Sequence, residues 1–239
     1  MRQAVLLAGG LGTRISSLSE GVPKVLLPVG GRPFLDHLLA WLSARGVGEV
    51  LLLLGHKADE VWAAAGRGAP KGLQIQKSVE KTALGTGGAL RQAMDHLDAR
   101  FLVMNGDTFL DIDLVLFERL HEAATCDGVV GTLALVRHPR AGEKGSVQLG
   151  PEGQVTRFVE KGMDGPGLIN AGVYLLERWV LGDIPSGRAV SLEREIFPLW
   201  AGRSDGKGLQ GVITDGYFVD IGLPDDYLSV KDGFPGARA

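Results

Sequence analysis

Three sets of residues in this chain have types and spacings suited to phosphate chemistry. Gly9, Gly10 and Gly12 follow the apolar run Ala4–Ala8, and Arg14 lies two residues further on. Glycines let a backbone turn freely and pack closely, so its N–H groups can face an anion. Arg14 adds a planar, permanently charged fork at the end of that loop. Asp107 closes a second apolar stretch and Asp220 sits in a third, Tyr217–Ile221. An aspartate in an apolar strand is costly unless something pairs with it. Two at strand ends suit Mg²⁺, which takes one or two carboxylates and otherwise phosphate oxygens and water. The plainer alternative is that each caps a turn or binds a loop N–H. Lys24, in a Pro-Lys between apolar runs, offers a point charge for a departing phosphate group. Its plainer alternative is a lysine snorkelling off a sheet edge.

Other candidates carry less by themselves. Thr82–Gly88 is a second glycine-rich turn leading into a helix; it either approaches a flat base closely or is simply a tight loop. Glu160-Lys161 and the segment Asn170–Tyr174 are weak signals when taken singly, since Glu-Lys pairs are common on solvated surfaces. Asp111 and Asp113 fit turn and helix-cap roles, and Ser191 fits a cap with Glu193 and Glu195 in the favourable first turn. The five histidines lack metal-ligand spacing. Trp41, Trp62, Trp179 and Trp200 read as core or interface, and Cys126 as packing. Being the single cysteine, Cys126 excludes an intramolecular disulfide and a cysteine zinc cluster. Two phosphate-binding fingerprints also fail. G-x-G-x-x-G would need glycine where Ile15 stands, and G-x-x-x-x-G-K-[ST] is absent.

These residues must be held by strands and helices in alternation. Ala4–Ala8 reads as a buried strand, and Pro33 opens a helix that carries Phe34, Leu35, Leu38, Leu39, Trp41 and Leu42 to a stop at Gly46. A strand at Glu49–Leu54, a helix at Ala58–Ala65, a strand at Leu73–Gln76, a helix from Thr86 and a strand at Phe101–Met104 continue the series. That pattern builds a parallel sheet with helices on both faces, whose ligands bind beyond the carboxyl ends of the strands. The second half reads as strands Val129–Val136, Ser146–Leu149, Val155–Glu160 and Leu168–Leu175 with few helices between them, an antiparallel addition forming a second lobe. Ser191–Trp200 returns to helix, Leu209–Thr214 and Tyr217–Ile221 are strands, and Pro224 opens the last helix. Residues from Gly233 on read as a loose end.

Length and composition set the outer bounds. The 239 residues suit one domain, or a domain with a modest subdomain. Apolar content of 45% and charged content of 22% are ordinary for a folded chain. With 25 basic and 28 acidic side chains and no basic block, no nucleic-acid partner is expected. No run approaches the roughly 18 apolar residues of a spanning helix, so no membrane partner is expected. The start shows no leader pattern, and the default location is the cytoplasm.

Taken together, Leu7–Arg14, Pro23-Lys24, Asn105-Gly106-Asp107, Val159-Glu160-Lys161, Asn170–Tyr174 and Asp220-Ile221-Gly222 resemble the sugar-1-phosphate nucleotidyltransferases. The motifs run in the family's order over almost the whole chain. The likeness is strongest to the branch making GDP-sugars, the mannose-1-phosphate and the short bacterial D-glycero-α-D-manno-heptose 1-phosphate guanylyltransferases. Leu84–Ala89, Asn105–Phe109, Gly167–Gly172 and Ser191–Pro198 carry that finer resemblance.

The resemblance implies a Rossmann-like three-layer α/β/α mixed sheet with a smaller sugar-binding lobe, a single domain over 1–239 with 1–125 mainly the nucleotide-binding half and 126–239 the sugar-binding half. It implies attack by a sugar 1-phosphate on the α-phosphorus of a nucleoside triphosphate, GTP first among them, with pyrophosphate leaving and a GDP-heptose as product. Such chemistry is positioning and charge neutralisation, with no protein nucleophile. By family position Leu7, Ala8, Gly9, Gly10, Gly12, Thr13 and Arg14 hold the triphosphate, and Lys24 neutralises it near the α-phosphate. Asp107 and Asp220 hold Mg²⁺. Gly85, Thr86 and Gly88, with Glu80, face the base, while Gly145, Glu160, Lys161, Asn170 and Gly172 line the sugar and its phosphate. No C-terminal β-helix or allosteric control is expected, and a homodimer is compatible with the reading. The alternatives are a mannose- or glucose-1-phosphate enzyme using GTP, UTP or dTTP, and a catalytically silent nucleotide-sugar sensor.

Overall fold

Ala4, Val5 and Leu6 are wholly buried, and so is Leu52 in the strand beside them. Near-continuous apolar runs of this kind belong to parallel strands covered on both faces. The computed structural model describes residues 2–10, 12, 15, 19, 21–126, 128–141, 146–159, 165–201 and 208–234. The chain divides into two compact units, and both draw on both halves of the sequence. The first is built from Arg2–Ala83, Met104–Phe109 and Val219–Ala239, the second from Leu84–Val103 and Leu110–Phe218.

In the first unit Gln3–Leu7, Glu49–Leu54 and Gln74–Val79 run parallel, with Val5 opposite Leu51 and Leu51 opposite Gln76. The expected strand near residue 73 is thus longer, and it is mostly exposed. The helix Phe34–Ala44 buries the six apolar residues that predicted it. It ends in a Schellman turn, Gly46 N donating to the Ser43 carbonyl and Val47 N to that of Leu42. Gly46 adopts φ +80°, which a side chain would resist. The tail corrects one expectation. Phe234 stacks on Phe109 with ring centroids 4.7 Å apart and meets His37 edge-on at 5.0 Å, so the chain stays packed through that residue.

In the second unit Gly131–His138 pairs antiparallel with Gly167–Glu177 and parallel with Leu209–Ile213. Ser146–Leu149 and Val155–Val159 form a separate antiparallel pair. The long strands are therefore parallel in the first unit, which adds a short antiparallel pair, Pro28–Val29 with Arg32–Pro33, and mixed in the second, an α/β fold with a mixed sheet. Asp113 caps a helix as expected, accepting from Val115 N and Leu116 N at 2.9 and 3.0 Å. That helix, Leu114–Thr125, is a full 12 residues, of which only the cap was expected from the sequence. Its inner face carries Leu114, Phe117 and His121, while Val115, Leu116 and Leu120 point outward, which blurs the apolar period.

His121 is fully buried against the sheet. Its Nδ1 lies 2.8 Å from Thr132 Oγ1 and its Nε2 3.2 Å from Glu177 Oε1. Arg100 donates to the same Glu177 oxygen at 2.6 Å. Burial pushes the His121 pKa down, and the Arg100 charge pushes it further, against the pull of Glu177. Among the described residues, no helix is long and apolar enough to cross a membrane.

Candidate active site

The first glycine turn follows directly from the buried strand. Ala8 N donates to the Leu53 carbonyl at 2.9 Å, and the Leu7 carbonyl accepts Gly106 N at 3.0 Å. Those two bonds fix the turn against both neighbouring strand ends. Each glycine has its own reason to be there. A Cβ on Gly9 would lie 3.1 Å from Glu80 Oε1 and 3.2 Å from Gly55 N. Gly12 adopts φ +63° beside the Lys24 side chain, while a Cβ on Gly10 would meet nothing within 4 Å among the described residues. The open side of the turn is therefore at Gly10, and the Glu80 carboxylate lies against its start.

Three charged groups of the first unit converge on one glycine. Lys24 Nζ donates to Asp107 Oδ2 at 2.8 Å, with the lysine side chain only 14% exposed. Asp220 Oδ1 accepts Gly222 N at 2.7 Å. A Cβ built on Gly222 would stand 2.7 Å from Asp220 Oδ1, 3.0 Å from Asp107 Oδ2 and 3.1 Å from Lys24 Nζ. An added side chain could fit there only by pushing those three side-chain ends aside. Ile221 N donates to the Asp107 carbonyl at 2.8 Å, tying the two aspartate-bearing segments together. Lys24 sits in a single 3₁₀ turn, Lys24–Leu26, closed by Leu27 N on the Lys24 carbonyl. It points into the cluster instead of snorkelling away. Asp220 does bind a loop N–H, as its plainer reading held, and its position beside Asp107 comes in addition.

Two carboxylates around one small space fit a divalent cation that completes its shell with phosphate oxygens and water. Among the described residues, no group of three or more His, Cys, Asp or Glu forms a metal site of its own. An ion held at Asp107 and Asp220 would thus depend on oxygens brought by a ligand.

The second glycine turn, in the second unit, has a different cause. Gly85 adopts φ +67°, and a Cβ there would lie 2.6 Å from the Val190 carbonyl oxygen. At Gly88 it would lie 2.8 Å from the Arg188 carbonyl oxygen. Gly87 N and Gly88 N both donate to Val190, at 2.9 and 3.2 Å. Close approach of another backbone accounts for these glycines, and Thr86 extends the docking. Its Oγ1 accepts Leu192 N and donates to Glu193 Oε2, each at 2.8 Å.

Asn170 and Gly172 occupy an irregularity in the strand Gly167–Glu177. The register against Gly131–His138 shifts between Asn170 and Tyr174. Gly172, at φ +68°, donates its N–H to Asn170 Oδ1 at 2.9 Å. Asn170 Nδ2 donates to the Tyr174 hydroxyl at 2.9 Å, and that hydroxyl donates to Glu193 Oε1 at 3.3 Å. Sequence reasoning placed Glu193 at a helix start for its charge. The structure instead makes its carboxylate a shared acceptor for Thr86, Tyr174 and Ser191. Spacing could not have revealed this, since the partners lie 107, 19 and 2 residues away. Ser191 caps as expected, accepting Arg194 N at 3.2 Å. The turn it opens, Leu192–Ile196, is a π-helix. Thr13, Arg14, Gly145, Glu160 and Lys161 lie outside the described residues.

Residues 3–234 match the family described as "Nucleotidyl transferase". The chain is 40% identical over 229 residues to a mannose-1-phosphate guanylyltransferase of Mycobacterium tuberculosis, covering 94% of this chain and 62% of that one. It thus spans less than two thirds of the mycobacterial relative. It is 35% identical over 227 residues to a D-glycero-alpha-D-manno-heptose 1-phosphate guanylyltransferase of Campylobacter jejuni, covering 94% and 96%. The crystal structure of HddC from Yersinia pseudotuberculosis complexed with GMP-PN superposes with a TM-score of 0.83 at 31% identity, covering 97% of this chain and 99% of that one.

Proposed function

The chain belongs to the nucleotidyl transferase family, and from that premise we propose that it joins GTP to a sugar 1-phosphate of manno configuration, releasing pyrophosphate. D-Glycero-α-D-manno-heptose 1-phosphate is the first choice of sugar. Mannose 1-phosphate is the second reading, favoured by the 40% identity to the mycobacterial enzyme. The observation that carries the proposal is the convergence of Lys24, Asp107 and Asp220 on Gly222, beside the glycine turn.

In this reading the sugar-phosphate oxygen attacks the α-phosphorus, the new P–O bond forms in line, and the α–β bridging oxygen leaves on pyrophosphate. The backbone at Leu7, Ala8, Gly9, Gly10, Gly12 and Thr13, with Arg14, grips the triphosphate. Lys24 supplies positive charge where negative charge builds up in the transition state. Enzymes of this family use a divalent metal. Here we take it to be Mg²⁺, held by Asp107 and Asp220, where it would neutralise phosphate oxygens and leave Lys24 free to serve the α-phosphate. Glu80, with Gly85, Thr86 and Gly88, serves the base. Gly145, Glu160, Lys161, Asn170 and Gly172 serve the sugar and its phosphate. A cytoplasmic homodimer belongs to the same reading, and light scattering of the purified protein checks the dimer.

Pyrophosphate release across GTP, ATP, UTP and dTTP, each paired with heptose, mannose and glucose 1-phosphates, tests the assignment. Turnover is expected with GTP and a manno-configured sugar. Turnover only with dTTP or UTP and glucose 1-phosphate sinks it.

A further inference from the structure

The two segments assigned to different ligands, the Gly85–Gly88 turn and the Asn170–Gly172 irregularity, are joined by one carboxylate. From the sugar side the path runs from Gly172 N to Asn170, from Asn170 to the Tyr174 hydroxyl, and from that hydroxyl to Glu193 Oε1. From the nucleotide side, Thr86 donates to Glu193 Oε2 while accepting Leu192 N. Ser191 Oγ adds a third hydroxyl at 3.0 Å. Both ends of the path sit in backbone that needs special support. Gly172 and Gly85 adopt φ +68° and +67°, and a strand irregularity such as the one at Asn170–Tyr174 re-aims side chains. Glu193 itself lies in a π-helical turn, a form that recurs at functional sites.

We propose that Glu193 is a positioning residue that makes the two substrates bind cooperatively. Sugar 1-phosphate ordering Asn170–Gly172 fixes Tyr174, and Tyr174 holds Glu193 in the rotamer that anchors Thr86 and the nucleotide turn. Nucleotide binding has the reverse effect, because coupling between two ligands is reciprocal. The inference rests on the reading of the site given above. A glutamine at position 193 has the same shape but offers one acceptor oxygen and one donating NH2 where three hydroxyls donate to a carboxylate, so at least one link must reverse its direction or break.

The test measures binding without turnover. Titration calorimetry with Mg²⁺ follows guanosine 5′-(α,β-methylene)triphosphate, with and without saturating D-glycero-α-D-manno-heptose 1-phosphate. In the wild-type protein the sugar phosphate should tighten nucleotide binding about tenfold, within the usual range of such couplings. In Glu193→Gln that factor should fall below twofold, while the affinity for each ligand alone changes about threefold or less. Tyr174→Phe should give the same loss, and the double variant no more than either single one, since both cut one path. Tyr174→Phe also carries the test if Glu193→Gln does not fold. A tenfold factor retained in both variants overturns the inference, as does additive loss in the double variant. Binding of both probes and turnover, with no coupling in the wild type, removes the inference but leaves the functional reading standing. No binding of either probe and no turnover with any substrate pair removes both.

Discussion

At Gly10 an added Cβ would meet nothing within 4 Å among the described residues, whereas at Gly85 it would land 2.6 Å from the Val190 carbonyl oxygen. The two glycine-rich turns read alike in composition, yet one keeps a side open and the other is filled by a neighbouring backbone. Gly85, Gly87 and Gly88 are required by the segment Arg188–Val190 packed on them. Among the described residues Gly10 has no such partner, and none of their packing accounts for its lack of a side chain. A glycine cluster thus signals close approach, and only the structure tells whether the approaching group is part of the chain.

The sharpest way to break this contrast is to remove the charges beside the open turn. Asp107→Asn or Lys24→Ala should cut pyrophosphate release by about 10³-fold with the thermal midpoint near that of the wild type. Wild-type rates in both variants would discard the mechanism. Next, Gly10→Ala should slow turnover by roughly tenfold to a hundredfold through misplacement of the triphosphate. Its denaturant midpoint should not move, and full activity would show that the open side faces no ligand. Gly85→Ala should act the other way, costing about 2–3 kcal/mol of stability in urea unfolding, because a strained φ combines with a backbone clash. An unchanged urea midpoint would refute the packing account of the second turn.

The smallest effect concerns pH. His121 has a folded-state pKa below its unfolded value. Its contribution is therefore present above about pH 6.5 and is lost as the pH falls from there toward the folded value, where the unfolded chain binds the extra proton. His121→Gln should flatten the wild-type decline in unfolding free energy between pH 7 and 5.5, by at most about 1 kcal/mol. Parallel declines in the two proteins would mean that His121 titrates alike in both states.

What the sequence made legible follows from how local each signal is. The helix Phe34–Ala44 was readable because its apolar spacing, Pro33 and Gly46 agree within one stretch. Glu49–Leu54 was readable because burial on both faces leaves an unbroken apolar run. The helix Leu114–Thr125 was half-legible, since Asp113 announced it while buried His121 and exposed Val115, Leu116 and Leu120 invert the usual pattern. In the candidate site, Lys24, Asp107 and Asp220 stood out as charges in apolar surroundings. Gly222 figured only within the Asp220-Ile221-Gly222 motif, and nothing in that motif tells that its missing side chain makes room for the three to meet. Glu193 was hidden most deeply, because its role is set by Thr86 and Tyr174, which no periodicity connects to it.

The first unit takes its residues from three separated stretches, Arg2–Ala83, Met104–Phe109 and Val219–Ala239. During synthesis the chain emerges from its N-terminal end, and the strand Gln3–Leu7 and the helix Phe34–Ala44 leave the ribosome long before Asp220 and Gly222 do. Lys24 and Asp107 can pair early, but the cluster around Gly222 and the stack of Phe234 on Phe109 must wait for the last stretch. Until then the apolar bed for Phe234 stays uncovered, which is the condition under which nascent chains recruit chaperones or associate wrongly. The charged cluster therefore cannot assemble before Asp220 and Gly222 have been made, however early Lys24 and Asp107 have paired.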